Sequence, residues 1–142
     1  MIQTSKYIDL TVPVKSKDDS QIDHQLLFDQ VTGLYNHSAF HFYLGQEIKR
    51  ADRYQKVFAV ALIGIDDFAY YNEANSYIEG DLMLRKIGQA IRSSIRDVDV
   101  IARFSDDQYS LLLTETEEKK AFLVAERIKR EISSCYRQKI NR

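Results

Sequence analysis

Residues 57–65 read Val-Phe-Ala-Val-Ala-Leu-Ile-Gly-Ile. A continuous apolar run of this length, rich in β-branched residues, is expected of a strand buried on both faces. Downstream, Val98–Phe104 and Tyr109–Leu113 read as two shorter strands joined by the polar turn Ser105-Asp-Asp-Gln108. Three helical patterns surround these strands. After Asn36, a plausible helix cap, Phe40, Leu44, Ile48 and Ala51 recur at helical spacing. A second helix is expected from about Gly80-Asp81, with Leu84, Ile87, Ile91 and Ile95 on one side. A third carries Ala121, Val124, Ala125, Ile128 and Ile132 inward. After the first helix the order is βαββα, which predicts an α/β chain (an α+β sandwich) of the ferredoxin-like or palm kind, its hairpin beside the first strand.

The chain divides into an extension, residues 1–28, and a domain, 29–142. In the extension, Ile8, Leu10, Val12 and Val14 alternate with Tyr7, Asp9, Thr11 and Pro13. This period of two predicts a short strand that Pro13 confines to an edge or to the strand's end. Residues 21–28 read as a short helical lead-in.

With 142 residues the chain has one domain's worth of core, needing neither disulfides nor metals. Lys plus Arg is 20 against 21 for Asp plus Glu, and this balance gives no basic excess for general nucleic-acid or membrane binding. The apolar run 57–65 falls far short of the ~20 residues of a membrane helix, and the N-terminus lacks the apolar core of a signal peptide. The single Cys135 has no internal partner and reads as a structural thiol. Together these features predict a cytoplasmic protein. His24, His37 and His41 read as surface or half-buried polar residues without metal-ligand partners, and Phe68, Tyr70, Tyr71 and Tyr77 as packing aromatics. Glu115–Lys120 reads as a solvated helix start.

Four segments then fall in register with a known pattern. Asp29-Gln-Val-Thr-Gly-Leu-Tyr-Asn36 followed by Phe40 matches DxLTGLxNRxxF, with His37 in place of Arg. Ile65-Asp-Asp-Phe68, Asn72 and Gly80-Asp81-x-x-Leu84 match DIDxFKxxND…GDxxL. Arg103-Phe-Ser-Asp-Asp-Gln-Tyr109 stands where the pattern has RYGGDEF. From Asp29 onward the chain resembles the GGDEF domain, the diguanylate cyclase fold of bacterial signalling.

The resemblance implies a two-GTP condensation that needs Mg²⁺ on the triphosphate and a turn that lets phosphate approach bare backbone. The family holds the metal with the first Asp of DID and the third residue of GGDEF. Here these positions are Gly64, which has no ligand, and Asp107. Mg²⁺ takes few protein carboxylates, so losing one of two removes most of the affinity. The paired glycines are Ser105 and Asp106, the acidic fourth residue is Gln108, and the Lys after DxF is Ala69. A carboxylate at Asp106, ~4 Å from a phosphate, would repel it by about 4 kcal/mol at an effective dielectric near 20. Five departures together imply a domain without catalysis and without bound Mg²⁺. The family also continues past the equivalent of Arg142 into a strand (often SIGIA) and a cationic helix, so a C-terminally shortened fold is expected. The missing strand would lie beside 57–65, and the N-terminal segment Tyr7–Val14 is expected to fill that slot, from its own chain or a partner's.

Two ligand sites follow from the resemblance. Asn72 and Asp81 match residues that read guanine in active members, though a helical turn end and a helix start explain them equally well. Arg96-Asp-Val-Asp99 has the spacing of the family's RxxD inhibitory site for cyclic di-GMP, and Arg127 takes the position of a further Arg that joins it. Guanidinium forks bind phosphate and guanine edges bidentately. An exposed Arg–Asp pair at a helix end is the plain alternative. The expected function is therefore a regulatory cyclic di-GMP receptor acting through a protein partner or dimer mate. The alternatives are a protein-interaction or dimerisation module without nucleotide, and a GTP-binding allosteric domain.

Overall fold

A computed structural model describes residues 2–4 and 24–140. In chain order its elements are β1 (Ile2–Thr4), α1 (His24–Leu27), α2 (His37–Tyr54), β2 (Ala59–Gly64), α3 (Phe68–Ala74), α4 (Tyr77–Ser93), β3 (Val100–Ser105), β4 (Gln108–Leu113) and α5 (Glu118–Ile140). The sheet runs β1-β2-β4-β3 with every neighbouring pair antiparallel.

The alternation of side chains along a strand separates two cores. Ala61, Ile63, Tyr109, Leu111 and Leu113 face α4 and α5, where Leu84, Ile87, Ile91, Ala121 and Ile128 bury against them. Ala102 and Leu112 face the other way, onto Phe40 and Leu44 of α2. Central strand β4 is thus buried on both faces, which is why Tyr109–Leu113 carries so little polar alternation. The architecture is the expected α+β sandwich with the hairpin beside the first long strand.

Boundaries differ in instructive ways. The run 57–65 pairs only over Ala59–Gly64, and Val57 is exposed. Helix α4 starts at Tyr77, not at Gly80-Asp81, because Ser76 caps it by accepting from Glu79 N at 3.2 Å. Asp81 therefore sits inside the helix. Helix α3, only seven residues long, was not anticipated. The edge of β2 is covered by the extension, as expected, but the pairing residues are Ile2–Thr4, opposite Ile63, Leu62 and Ala61. Residues 7–14, expected to make this strand, lie outside the described residues. Helix α5 begins at Glu118 rather than at Glu115, which adopts φ 45° and pairs with Arg50 at 2.8 Å.

Asn36 caps α2 as predicted. Its Oδ1 accepts from Ala39 N at 2.9 Å while its Nδ2 donates to Leu26 O at 2.8 Å, tying α1 to the helix start. Asn36→Ala is expected to lower stability by about 1–2 kcal/mol, read as the midpoint shift in urea unfolding. An unchanged midpoint would mean that the cap contributes nothing.

Candidate functional site at the α4–β3 loop and the signature turn

The loop from Ser94 to Asp99 closes the C-terminal end of α4 and leads into β3. Asp99 is its anchor, with a side chain only 3% exposed. Its Oδ2 accepts from Arg96 N at 3.0 Å and Arg96 Nε at 3.2 Å. Its Oδ1 accepts from Arg96 Nη2 and from Thr114 N, at 3.0 and 3.1 Å. Arg96 Nη2 reaches further, to Thr114 O at 2.5 Å and Thr116 Oγ1 at 3.1 Å. The Arg96 side chain nevertheless stays 57% exposed. Its guanidinium is held more firmly in the charged form than usual, first by the hydrogen bond to Asp99. Arg127 of α5 donates through Nη2 to Ser94 O. All three residues expected of the inhibitory-type site therefore meet at one loop. The Asp99 contact to Thr114, fifteen residues away, could not be read from the Arg-x-x-Asp spacing. Beside the loop a cavity of about 440 Å³ is lined by Phe28, Tyr35, Tyr43, Arg92 and Val98.

The second pair of guanine-reading candidates is placed differently. Asn72 on α3 lies against Gly80 of α4, where a Cβ would meet Asn72 Oδ1 at 1.7 Å. That oxygen is buried without a hydrogen-bond partner. Asp81, one residue on, is exposed on α4. Asn72 thus packs on a helix backbone while Asp81 faces solvent.

At the signature turn Ser105, Asp106 and Asp107 are exposed. Ser105 Oγ donates to Gln108 Oε1 at 2.8 Å, and the ladder is irregular between Arg103 and Ser105. Neither Asp106 nor Asp107 has positive φ, so the turn holds without the glycines of the family pattern. Across the ladder Gly64 is the partner of Gln108, and Ile65 N donates to Asp107 O at 2.9 Å. Position 64, the ladder partner of Gln108, is a glycine where the family pattern has a carboxylate. Among the described residues no group of three or more His, Cys, Asp or Glu side chains converges for a metal. Of the family's two metal-holding positions, this turn keeps the carboxylate of Asp107 and has glycine at position 64. Tyr109, at the Phe position of the signature, is fully buried and donates its hydroxyl to Leu84 O at 2.6 Å. Burial pushes its phenol far above the ordinary range.

The retained opening motif has a structural explanation. Asp29 Oδ2 accepts from Thr32 N and Thr32 Oγ1, both at 2.7 Å, around Gly33 at φ 73°. Its Oδ1 accepts from Arg103 Nη1 at 3.2 Å, and Arg103 Nη2 donates to Asp106 O at 2.9 Å. The opening segment and the signature turn are thus one network.

His37 and His41, expected as surface or half-buried polar residues, are exposed and half-buried respectively, and their Nε2 atoms lie 2.8 Å apart because residues four apart on a helix are neighbours. Among the packing aromatics, Phe68 is buried and stacks on Tyr71, but Tyr70 and Tyr77 are largely exposed. Cys135 is buried, and burial raises its thiol pKa, which fits a structural thiol. No described helix is long and apolar enough to cross a membrane.

Comparison with known proteins agrees with the geometry. Residues 26–140 match the family model "Diguanylate cyclase, GGDEF domain". The cyclic di-GMP phosphodiesterase NbdA of Pseudomonas aeruginosa is 30% identical over 116 residues, covering 77% of this chain and 15% of NbdA. The structure of the diguanylate cyclase SiaD in complex with its activator SiaC, from the same organism, superposes with a TM-score of 0.71 at 29% identity, over 73% of this chain and 40% of SiaD. The GGDEF domain of DgcB from Caulobacter crescentus, in complex with cyclic di-GMP, shares the fold with a TM-score of 0.73 at 20% identity, over 86% of this chain and 67% of that one. The chain thus spans only a small part of the sequence relative's length. Four motifs in register, the antiparallel β2-β4-β3 sheet and the family match over 26–140 place this chain in the GGDEF family.

Proposed function

We propose that this chain is a GGDEF-type signalling domain without cyclase activity, which binds cyclic di-GMP through Arg96, Asp99 and Arg127 and passes its state to a protein partner or dimer mate. The observation that carries the ligand is the loop itself. It presents a guanidinium that is 57% exposed yet fixed by a carboxylate that is 3% exposed. Fixing the fork in advance removes the rotamer entropy that a free arginine loses on binding phosphate or a guanine edge. Asp99 already accepts four hydrogen bonds, so it acts on the ligand by positioning Arg96. Arg127, docked on Ser94 O, adds the second cation. The reading is supported by the name of the relative NbdA, a cyclic di-GMP phosphodiesterase. Loss of catalysis is supported by Gly64, the ladder partner of Gln108, at the family's carboxylate position, and by the carboxylate of Asp106 where the family leaves bare backbone.

A second reading, a protein-interaction module without nucleotide, is favoured by Tyr77, Ile78 and Leu82, which are exposed at the start of α4. SiaD, whose structure was solved with its activator SiaC, shows that a related chain takes a protein partner.

Calorimetric titration with cyclic di-GMP is expected to give micromolar binding that Arg96→Ala abolishes and Asp81→Ala leaves intact. Incubation with GTP and Mg²⁺ is expected to yield no cyclic dinucleotide. Heat unaffected by Arg96→Ala, or no heat at all, would sink the receptor reading and leave the interaction module.

A further inference from the structure

The pair of histidines on α2 has no place in the function above. The cap at Asn36 starts the helix at His37, so His37 and His41 stand one turn apart on the same side. Their Nε2 atoms are 2.8 Å apart and their ring centroids 4.2 Å apart, with the planes at 73°. His37 is also set edge-on against Phe104, the centroids 4.8 Å apart, which restrains its ring from the β3 side.

We propose that His37 and His41 form a two-imidazole chelate for a divalent transition ion of the Cu²⁺, Ni²⁺ or Zn²⁺ class at the first turn of α2. Two imidazole nitrogens that bind one ion at roughly 2.0–2.1 Å, at square-planar to tetrahedral angles, lie roughly 2.9–3.4 Å apart. The observed separation of 2.8 Å is therefore within a few tenths of an ångström of a chelate. Most of the entropic cost of bringing the ligands together is met by the helix. Without metal, one ring must donate its Nε2–H to the other ring's Nε2 lone pair. Binding breaks that hydrogen bond and forms two nitrogen–metal bonds. The donor ring's proton moves from Nε2 to Nδ1, so a neutral pair releases no net proton.

The chemistry selects the ion. Imidazole suits Cu, Ni and Zn, with Cu²⁺ tightest, whereas Mg²⁺ and Ca²⁺ prefer oxygen. No third His, Cys, Asp or Glu joins the pair among the described residues, so water completes the shell and the ion exchanges readily. A bound ion would clamp the first turn of α2 beside Phe104, the residue that precedes the signature turn.

The test is calorimetric titration of the full, tag-free chain with Cu²⁺, Ni²⁺, Zn²⁺ and, separately, Mg²⁺. One equivalent of Cu²⁺ is expected to bind with micromolar affinity and Mg²⁺ not at all. His37→Ala and His41→Ala should each weaken Cu²⁺ roughly tenfold or more, and the double variant little further, because either change alone destroys the chelate. His24→Ala should leave binding unchanged. In the wild type, sub-stoichiometric Cu²⁺ should broaden the ring resonances of His37 and His41 before any others, a readout independent of how the variants fold. Equal binding of Mg²⁺, single variants that bind Cu²⁺ like the wild type, or first broadening elsewhere would overturn the proposal.

Discussion

Asp29→Ala is expected to lower stability by about 3 kcal/mol, the largest effect foreseen for a residue outside the apolar core. The Asp29 and Arg103 side chains are only 17% and 15% exposed. Removing one member of a buried pair strands the other charge and typically costs 3–5 kcal/mol. The partial exposure places this pair at the lower end. Arg103 Nε is already buried without a partner, so the guanidinium has little else to lean on. Thr32 would lose the acceptor for both its amide and its hydroxyl. Urea unfolding of the variant reads the loss, and a change below about 1 kcal/mol would show that the network contributes no more than a surface pair.

The same carboxylate predicts a pH dependence. Burial by itself would raise the Asp29 pKa, but the hydrogen bonds from Thr32, with the Arg103 charge, outweigh it and hold the group below its ordinary value of 3.8. The unfolded chain therefore binds this proton more readily than the folded one. Stability from Asp29 is full above the unfolded pKa and is lost as pH falls through the lowered folded pKa. Asp29→Asn, which has no proton to gain, should flatten the acid limb of the stability curve. An acid limb equally steep in that variant would assign the effect to other carboxylates.

Asp99→Ala is expected to lower stability by about 2–3 kcal/mol, whereas Arg96→Ala should lower it by less than about 1 kcal/mol. The asymmetry follows from burial. Deleting Asp99 leaves the amides of Arg96 and Thr114 without their acceptor, and an unpaired buried donor costs roughly 1–3 kcal/mol. Deleting Arg96 removes an exposed side chain, and the ion pair it makes is screened by water. Thermal unfolding of the two variants checks the ordering, and equal losses would refute the anchoring role of Asp99. It also makes Arg96→Ala the cleaner probe of ligand binding, since that domain stays folded while losing the guanidinium.

Much of this was legible in the amino-acid order because the cause was local. The cap at Asn36, the apolar periodicity of α2, α4 and α5, and the unbroken hydrophobicity of β2 and β4 each follow from residues within a turn or a strand of one another. Family motifs in register identified the sandwich and brought Arg96, Asp99 and Arg127 into consideration together. The contact of His37 with His41 is local in the same way, since it follows from their i, i+4 spacing once Asn36 fixes the helix start.

What failed to show in the sequence was decided elsewhere in the molecule. The seven-residue α3 follows Asp67, an N-cap in the left-handed region with no side-chain cap hydrogen bond, and has too few turns for a periodic signal. The start of α4 was masked by exposed Tyr77 and Ile78, which blur its apolar face. A three-residue strand such as β1 has no pattern of its own, and the unpaired edge of β2 selects it. The amino-acid sequence by itself determined the family and the sandwich, because these rest on residue identity and local spacing. Only the tertiary structure decided that Asp29 grips Arg103 and that Asp99 spends its acceptors on Arg96 and Thr114, because a hydrogen bond between distant residues exists only once packing has brought them within 3 Å or so.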